Sequence, residues 1–200
     1  ILNENDEIII SEMEHHSNII PWQLISRKKR LKLQYIPLQK NGALNLDSFK
    51  SLINKKTKLI SITHMSNLLG TINPIEKIIS IAKENNILTM IDAAQSISHK
   101  KINIEKINCD FLVFSGHKIL GPTGVGVLFG KEDILKKIPP FLGGGHMIKE
   151  VTMEKSTWGD IPYKFEAGTP NIAPVIGLNQ AIKFFKKIKD KDADLHLRKL

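Results

Sequence analysis

Apolar residues in this chain fall in short runs separated by polar turns, and the runs switch between a period of two and a period near 3.6. Glu7 to Ser11 is a brief strand-like run that ends at the polar patch Glu14-His15-His16-Ser17-Asn18. Residues 19–30 read as a helix, with Pro21 in its first turn and Ile20, Leu24 and Trp22 facing inward. Leu33 to Leu38 suits a strand and Asn41-Gly42 a turn. Asp47 is placed to cap a helix over 48–54, and Lys58 to Thr63 is a further strand ending at His64. Asn73-Pro74 opens a helix whose Ile75, Ile78, Ile79 and Ala82 share one stripe, and Asn85-Asn86 closes it before the strand that leads to Asp92. Phe111 to Phe114 and Val125 to Phe129 then flank a tight turn.

From residue 139 the pattern changes to Pro139-Pro140, Gly143-Gly144-Gly145 and polar sequence as far as Phe165; the glycine triplet could cradle phosphate but lacks the Gly-Lys-Ser/Thr ending of a P-loop, and reads as a flexible loop. A helix over 173–187 follows, with Ile176, Leu178, Ile182 and Phe185 as its apolar faces, and the lysine-rich tail after 186 reads as solvated helix or linker. Strands alternating with helices predict an α/β fold, a mainly parallel (mixed) sheet with helices on both faces. The unusual polar residues His15, Asn67, Asp92, Gln95 and Lys118 all follow predicted strands, so they are expected to gather at one sheet edge.

Composition narrows the classes. The chain has 200 residues, 42% of them hydrophobic, enough for one substantial core. No apolar run reaches the length of about 18 residues that a membrane span needs. The net charge is +9, yet only Arg27, Arg30 and Arg198 of the 29 basic residues are arginine. Nucleic-acid readers rely on arginine forks and aromatic stacking, so the scattered lysines argue against that class, and Arg27-Lys28-Lys29-Arg30 reads as a solvated helix end. Cys109 is the single cysteine, which excludes an internal disulfide and fits a reducing, cytoplasmic compartment. The seven histidines form no zinc-binding spacing. His15 and His16 would point to opposite faces if extended, so no metal site is expected. The chain begins at Ile1, with Glu4 and Asp6 where a signal peptide would be positive, and reads as a piece of a longer protein.

The chemistry concentrates at Ser115-Gly116-His117-Lys118 and the Gly121-Pro122-Thr123-Gly124 that follows. A lysine in so pinched a turn is expected to be desolvated, and desolvation favours the neutral amine that attacks a carbonyl to form a Schiff base. A surface lysine in a hairpin is the plain alternative. Asp92, at the C-terminal end of an apolar strand, lies where open α/β sheets bind ligands, although the same position suits a helix N-cap. A lysine paired with such an acid is the signature of pyridoxal phosphate sites, the acid keeping the pyridine nitrogen protonated.

These segments, with Met13-Glu14-His15-His16-Ser17-Asn18-Ile19, Pro21-Trp22, Thr63-His64-Met65-Ser66-Asn67, Gly70-Thr71, Asp92-Ala93-Ala94-Gln95 and Phe165-Glu166-Ala167-Gly168-Thr169-Pro170, closely resemble the SufS-type cysteine desulfurases. Those are class V aminotransferase-like, fold-type I pyridoxal phosphate enzymes that also act as selenocysteine lyases. The resemblance runs from about residue 7 to about 185. It implies that residues 1–187 are the cofactor-binding large domain and 188–200 the start of a linker to a small domain. It makes Lys118 the Schiff-base lysine, Asp92 the partner of the ring nitrogen, His15 the imidazole stacked on the ring and Gln95 the donor to its phenolic oxygen. Asn67 falls near the substrate carboxylate, and Ser115 and His117 match phosphate-holding groups. Thr169 resembles a threonine that reaches the phosphate in the other subunit, which implies a homodimer. The implied substrate is L-cysteine, or L-selenocysteine, and the implied onward partner is a Suf-type sulfur acceptor for iron–sulfur cluster assembly.

Family members also carry a catalytic cysteine on a C-terminal loop, arginines that grip the substrate carboxylate, and an N-terminal helix that helps hold phosphate. None of these matches a segment of this chain, and Cys109 reads as a packed, inert thiol. The 200 residues alone are therefore expected to be inactive. Other readings are a different class V enzyme, such as an aminotransferase or a kynureninase-like hydrolase, and a non-catalytic dimerising remnant.

Overall fold

Isoleucine runs with no polar alternation belong to strands covered on both faces, and Ile8, Ile9, Ile10, Ile60 and Ile62 are all buried. In the computed structural model, which describes residues 2–188 and His196, these residues lie in β1 (Glu7–Ser11) and β3 (Thr57–Thr63), with α1 (Ile20–Lys29), β2 (Lys32–Ile36) and α2 (Leu46–Leu52) between them. The chain continues through α3 (Ile75–Glu84), β4 (Leu88–Asp92), α4 (Ser96–His99), α5 (Ile104–Ile107), β5 (Phe111–Ser115), β6 (Gly126–Gly130) and α6 (Glu132–Lys137). It ends in β7 (Ile148–Val151), β8 (Ser156–Trp158) and α7 (Ile172–Phe185).

The main sheet has the order β2-β1-β3-β4-β5-β6, with every pair parallel except the antiparallel β5–β6. Alternate side chains separate its two faces. Ile9, Ile60 and Ile62 pack with Phe49 of α2 and Ile78 and Ala82 of α3, while Ile8, Ile10 and Leu59 on the other face meet Trp22 of α1. The expected stripe of α3 is buried in full, because a helix crossing over a parallel sheet must lay its apolar side on it.

Several local expectations are corrected. Asn45, not Asp47, caps α2, its side chain accepting the Ser48 N–H at 3.0 Å, so the helix starts earlier than expected. Ile20 and Leu24 are exposed, at 49% and 62%, whereas Trp22 packs inward as expected and Ser26 is buried with it. In α7, Leu178 and Ala181 are buried, whereas Ile176 is exposed. Both helices are apolar on more than one side, so periodicity alone does not select the face that meets the sheet. The polar sequence after the glycine triplet, for which the pattern predicts no element, contains the hairpin β7–β8; its strands are exposed along their length, so no burial pattern marks them in the sequence. The tail expected as linker lies almost wholly outside the described residues.

At the opposite end of the strands from the polar turns, Asp110 ties β4, β5 and the residue after β6 together. Its Oδ2 accepts the Thr89 N–H and Oγ1 at 2.8 and 3.0 Å, and Lys131 Nζ donates to Oδ1 at 2.7 Å. Removing it leaves a buried N–H and a half-buried ammonium without partners. Asp110→Ala is expected to destabilise the full-length protein by about 1–3 kcal/mol in denaturant unfolding; an unchanged midpoint contradicts the role given to this lock.

Candidate active site

Because β1, β3, β4 and β5 run parallel, their C-terminal ends share one rim, where open α/β sheets bind ligands. The strand order reverses at β1, which lies between β2 and β3, so the loops after β1 and β3 leave toward different sides and open a crevice. A cavity of about 440 Å³ occupies it, lined by Glu14 and His15 from one loop and Ser66 and Asn67 from the other. A larger cavity of about 760 Å³ lies off the rim between α6 and the turn after β8; Glu132, Lys136, Asp160 and Lys164 give it mixed charge and no convergent chemistry.

Of the predicted site residues, His15, Asn67, Asp92, Gln95, Ser115, His117 and Lys118 follow or close the parallel strands that end at that rim. His15 is exposed and caps the single 3₁₀ turn His16–Asn18, its Nδ1 accepting the Ser17 N–H at 3.2 Å. This segment is a turn and not an extended strand, so His15 and His16 do not oppose each other: their rings lie 5.8 Å apart, tilted by 35°. Asn67 is exposed in the loop after β3. Asp92 closes β4 and is buried; its Oδ1 accepts the Ala94 N–H at 2.8 Å, and its other carboxylate oxygen has no hydrogen-bond partner among the described residues. Gln95, three residues on, is half-buried at the start of α4. Ser115 ends β5, next to β4, and His117 and Lys118 ride on the 3₁₀ turn Gly116–Ile119.

Lys118 is exposed, contrary to the expected desolvation. The turn buries Gly116 and Ile119 and thereby directs His117 and Lys118 outward. Thr169 is exposed ahead of α7 and takes no part in the rim formed by these strands. Among the described residues no cluster of three metal-ligating side chains occurs.

Two rim residues carry electrostatics that no sequence pattern announced. Glu14 is buried, and burial pushes its carboxyl up to about 7, with Asp92 adding to the rise and hydrogen bonds from Ser11, Thr63 and Asn18 opposing it. His64, directly after β3, donates its backbone N–H to the Asp92 carbonyl at 2.8 Å. Its imidazole Nδ1 is buried with no hydrogen-bond partner among the described residues, and burial holds its pKa below the ordinary value. The small polar residues Ser11 and Asn18, three before and four after Glu14, are the one signal that a buried acid stood between them. Cys109 is fully buried and its thiol is pushed up to about 11, chiefly by burial, so it is inert as a nucleophile.

The donor set fits pyridoxal phosphate. A buried carboxylate with an unused oxygen suits a pyridinium N–H. An exposed amine, an imidazole, a side-chain amide and a serine hydroxyl following neighbouring strands suit the remaining aldehyde, ring, oxygen and phosphate.

The whole chain, residues 1–200, matches the class-V aminotransferase family. It is 50% identical over 201 residues to a cysteine desulfurase of Wigglesworthia glossinidia brevipalpis, covering all of this chain and 49% of that protein. It is 47% identical over 199 residues to a probable cysteine desulfurase of Halalkalibacterium halodurans, with the same coverage of 100% and 49%. The crystal structure of the cysteine desulfurase CsdA from Escherichia coli superposes with a TM-score of 0.92 at 36% identity, over 94% of this chain and 47% of that one. The chain thus spans about half the length of the curated relatives it matches.

The turn that presents Lys118 depends on close backbone approach. A Cβ at Gly121 would lie 2.7 Å from the Gly116 carbonyl oxygen and 2.9 Å from Leu178 Cδ1. Backbone cannot yield there, so Gly121→Ala is expected to destabilise by about 1–3 kcal/mol and to lower cofactor occupancy in the full-length protein. Wild-type unfolding and full loading, by the visible absorbance of bound pyridoxal phosphate, would contradict this.

Proposed function

The chain belongs to the class-V aminotransferase family, and from that premise we propose that the full-length protein is a pyridoxal-phosphate-dependent cysteine desulfurase. It converts L-cysteine to L-alanine and passes the sulfur to an enzyme thiol as a persulfide. The observation that carries this reading is the pairing of Asp92 and Lys118 across neighbouring strand ends: a buried carboxylate with one free oxygen beside a turn presenting a primary amine. The half-length match to desulfurases supports the same choice.

When bound, pyridoxal phosphate supplies an aldehyde that condenses with amines and a ring that takes up the electron pair left by a departing proton. Lys118 Nζ would hold the aldehyde and, when not so engaged, would serve as the base for the substrate Cα proton. Asp92 would accept the ring N–H through its unused oxygen and favour the charged nitrogen. His15 would supply an imidazole for the ring, Gln95 a donor for the phenolic oxygen, and Asn67 an amide to orient the substrate carboxylate. Ser115 and His117 would hold the phosphate, and in a homodimer Thr169 would serve the phosphate site of the second copy. Residues 1–187 form the cofactor-binding large domain in this reading.

Cys109 does not take the sulfur, being buried with a thiol that stays protonated; the acceptor thiol comes from outside residues 1–200. L-Selenocysteine is a chemically equivalent substrate. Handover to a Suf-type acceptor for iron–sulfur cluster assembly in the cytoplasm completes the proposed role.

Lys118→Ala in the full-length protein is expected to lower alanine formation from L-cysteine by roughly 10²–10⁴-fold or more and to remove the visible band of the bound cofactor. Wild-type turnover in that variant overturns the proposal, as does a folded wild-type protein that binds no pyridoxal phosphate. Asp92→Asn is expected to retain cofactor while slowing alanine formation, because the ring nitrogen loses its charged partner; unchanged turnover refutes the role of Asp92.

A further inference from the structure

Glu14 directly precedes His15, and its side chain is tied to more of the rim than any residue assigned above. Ser11 Oγ donates to one carboxyl oxygen at 2.5 Å and Asn18 Nδ2 to the other at 2.6 Å, while the Thr63 N–H lies 3.0 and 2.8 Å from the two oxygens. Asn18 Oδ1 in turn accepts from Trp22 Nε1 at 3.0 Å and Ser61 Oγ at 2.7 Å. One carboxyl therefore joins the end of β1, the 3₁₀ turn, the first turn of α1 and the end of β3. These are the elements on either side of the crevice.

We infer that Glu14 is a positioning residue: its carboxyl locks the turn that carries His15 onto the ends of β1 and β3. His15's own contacts are short-range, to Ser17 within the same turn, so the lock must come from its neighbour. The cofactor-facing role of His15 rests on the function proposed above.

The lock has a protonation state. Of the elements packed against Glu14, β1 brings Ser11, β3 brings Ser61 and Thr63, and α1 brings Trp22, all uncharged; β4 brings Asp92, and the turn itself carries His15 and His16. The Asp92 charge and burial both favour the neutral acid. A neutral carboxyl keeps the network, with the Thr63 and Asn18 N–H groups still donating to one oxygen and the acid proton given to Ser11 Oγ. For an acid whose folded pKa is raised, the stabilisation is complete below the ordinary value of 4.5 and is lost as pH rises through about 7. Ionisation places a second negative charge beside Asp92 and loosens the turn.

The test compares the full-length wild type with Glu14→Gln and Glu14→Ala between about pH 5.5 and 8.5, reading pyridoxal phosphate affinity and, without cofactor, the unfolding temperature. Glutamine copies the neutral acid, with one donor and one acceptor. It is expected to bind cofactor within about twofold of wild type at the acid end and to lack the wild type's fall in unfolding temperature as pH rises to about 7, a difference of a few °C, on the order set by such linkage. Glu14→Ala is expected to weaken cofactor binding by about tenfold or more, as misplaced site groups do. Unfolding temperatures of wild type and Glu14→Gln that fall in parallel overturn the inference. So does Glu14→Gln binding as poorly as Glu14→Ala at the acid end. Should Glu14→Ala not fold, the Glu14→Gln curve decides alone: flat supports, parallel overturns. A wild type that binds no pyridoxal phosphate sinks the proposed function instead, and the cofactor-free unfolding curves still decide on Glu14.

Discussion

Parallel pairing is the constraint on which the rest of this structure depends. Once β1, β3, β4 and β5 run the same way, every loop that leaves them starts from one rim, and every crossover must pack a helix against a sheet face. The first consequence explains why residues as distant in sequence as His15 and Lys118 both follow strands that end at one rim. The second explains why the strands are so apolar: with α2 and α3 on one face and α1 on the other, no position in the middle of β1 faces water.

The rim then has an electrostatic problem. Asp92 and Glu14 are both buried carboxyl groups within each other's influence, and two buried like charges are not tolerated together. The arrangement resolves it at Glu14. Asp92 keeps one oxygen without a hydrogen-bond partner among the described residues, whereas Glu14 is wrapped by hydrogen bonds from its own segment and β3 and is driven by burial toward the neutral form. One acid is left to meet a cation and the other is given to structure. Glycines serve the same end at the neighbouring turn, where the Gly116–Gly121 approach leaves no room for a side chain and the pinched backbone projects His117 and Lys118 outward.

The strands, the stripe of α3 and the hairpin around the Ser115–Lys118 turn were legible because each repeats a simple period or is bracketed by turn residues. Three features were not. The exposed strands β7 and β8 lack the burial contrast that marks strands. The inward faces of α1 and α7 could not be chosen, since both helices are apolar on several sides, as exposed Leu24 and Ile176 show. The burial of Glu14 is the third, because a glutamate beside two histidines has the pattern of a solvated turn until β3 is laid over it.

By itself the sequence determined which candidate side chains follow strands: a lysine in a glycine-pinched turn, an acid closing an apolar run, and histidine, asparagine and glutamine at comparable positions. These are local facts, set by composition and by the allowed geometry of a few consecutive residues. Only the tertiary structure decided which of them meet, which acid is desolvated and which way Lys118 faces. Strand order, burial and solvation are properties of pairing between distant segments, and no local window contains them.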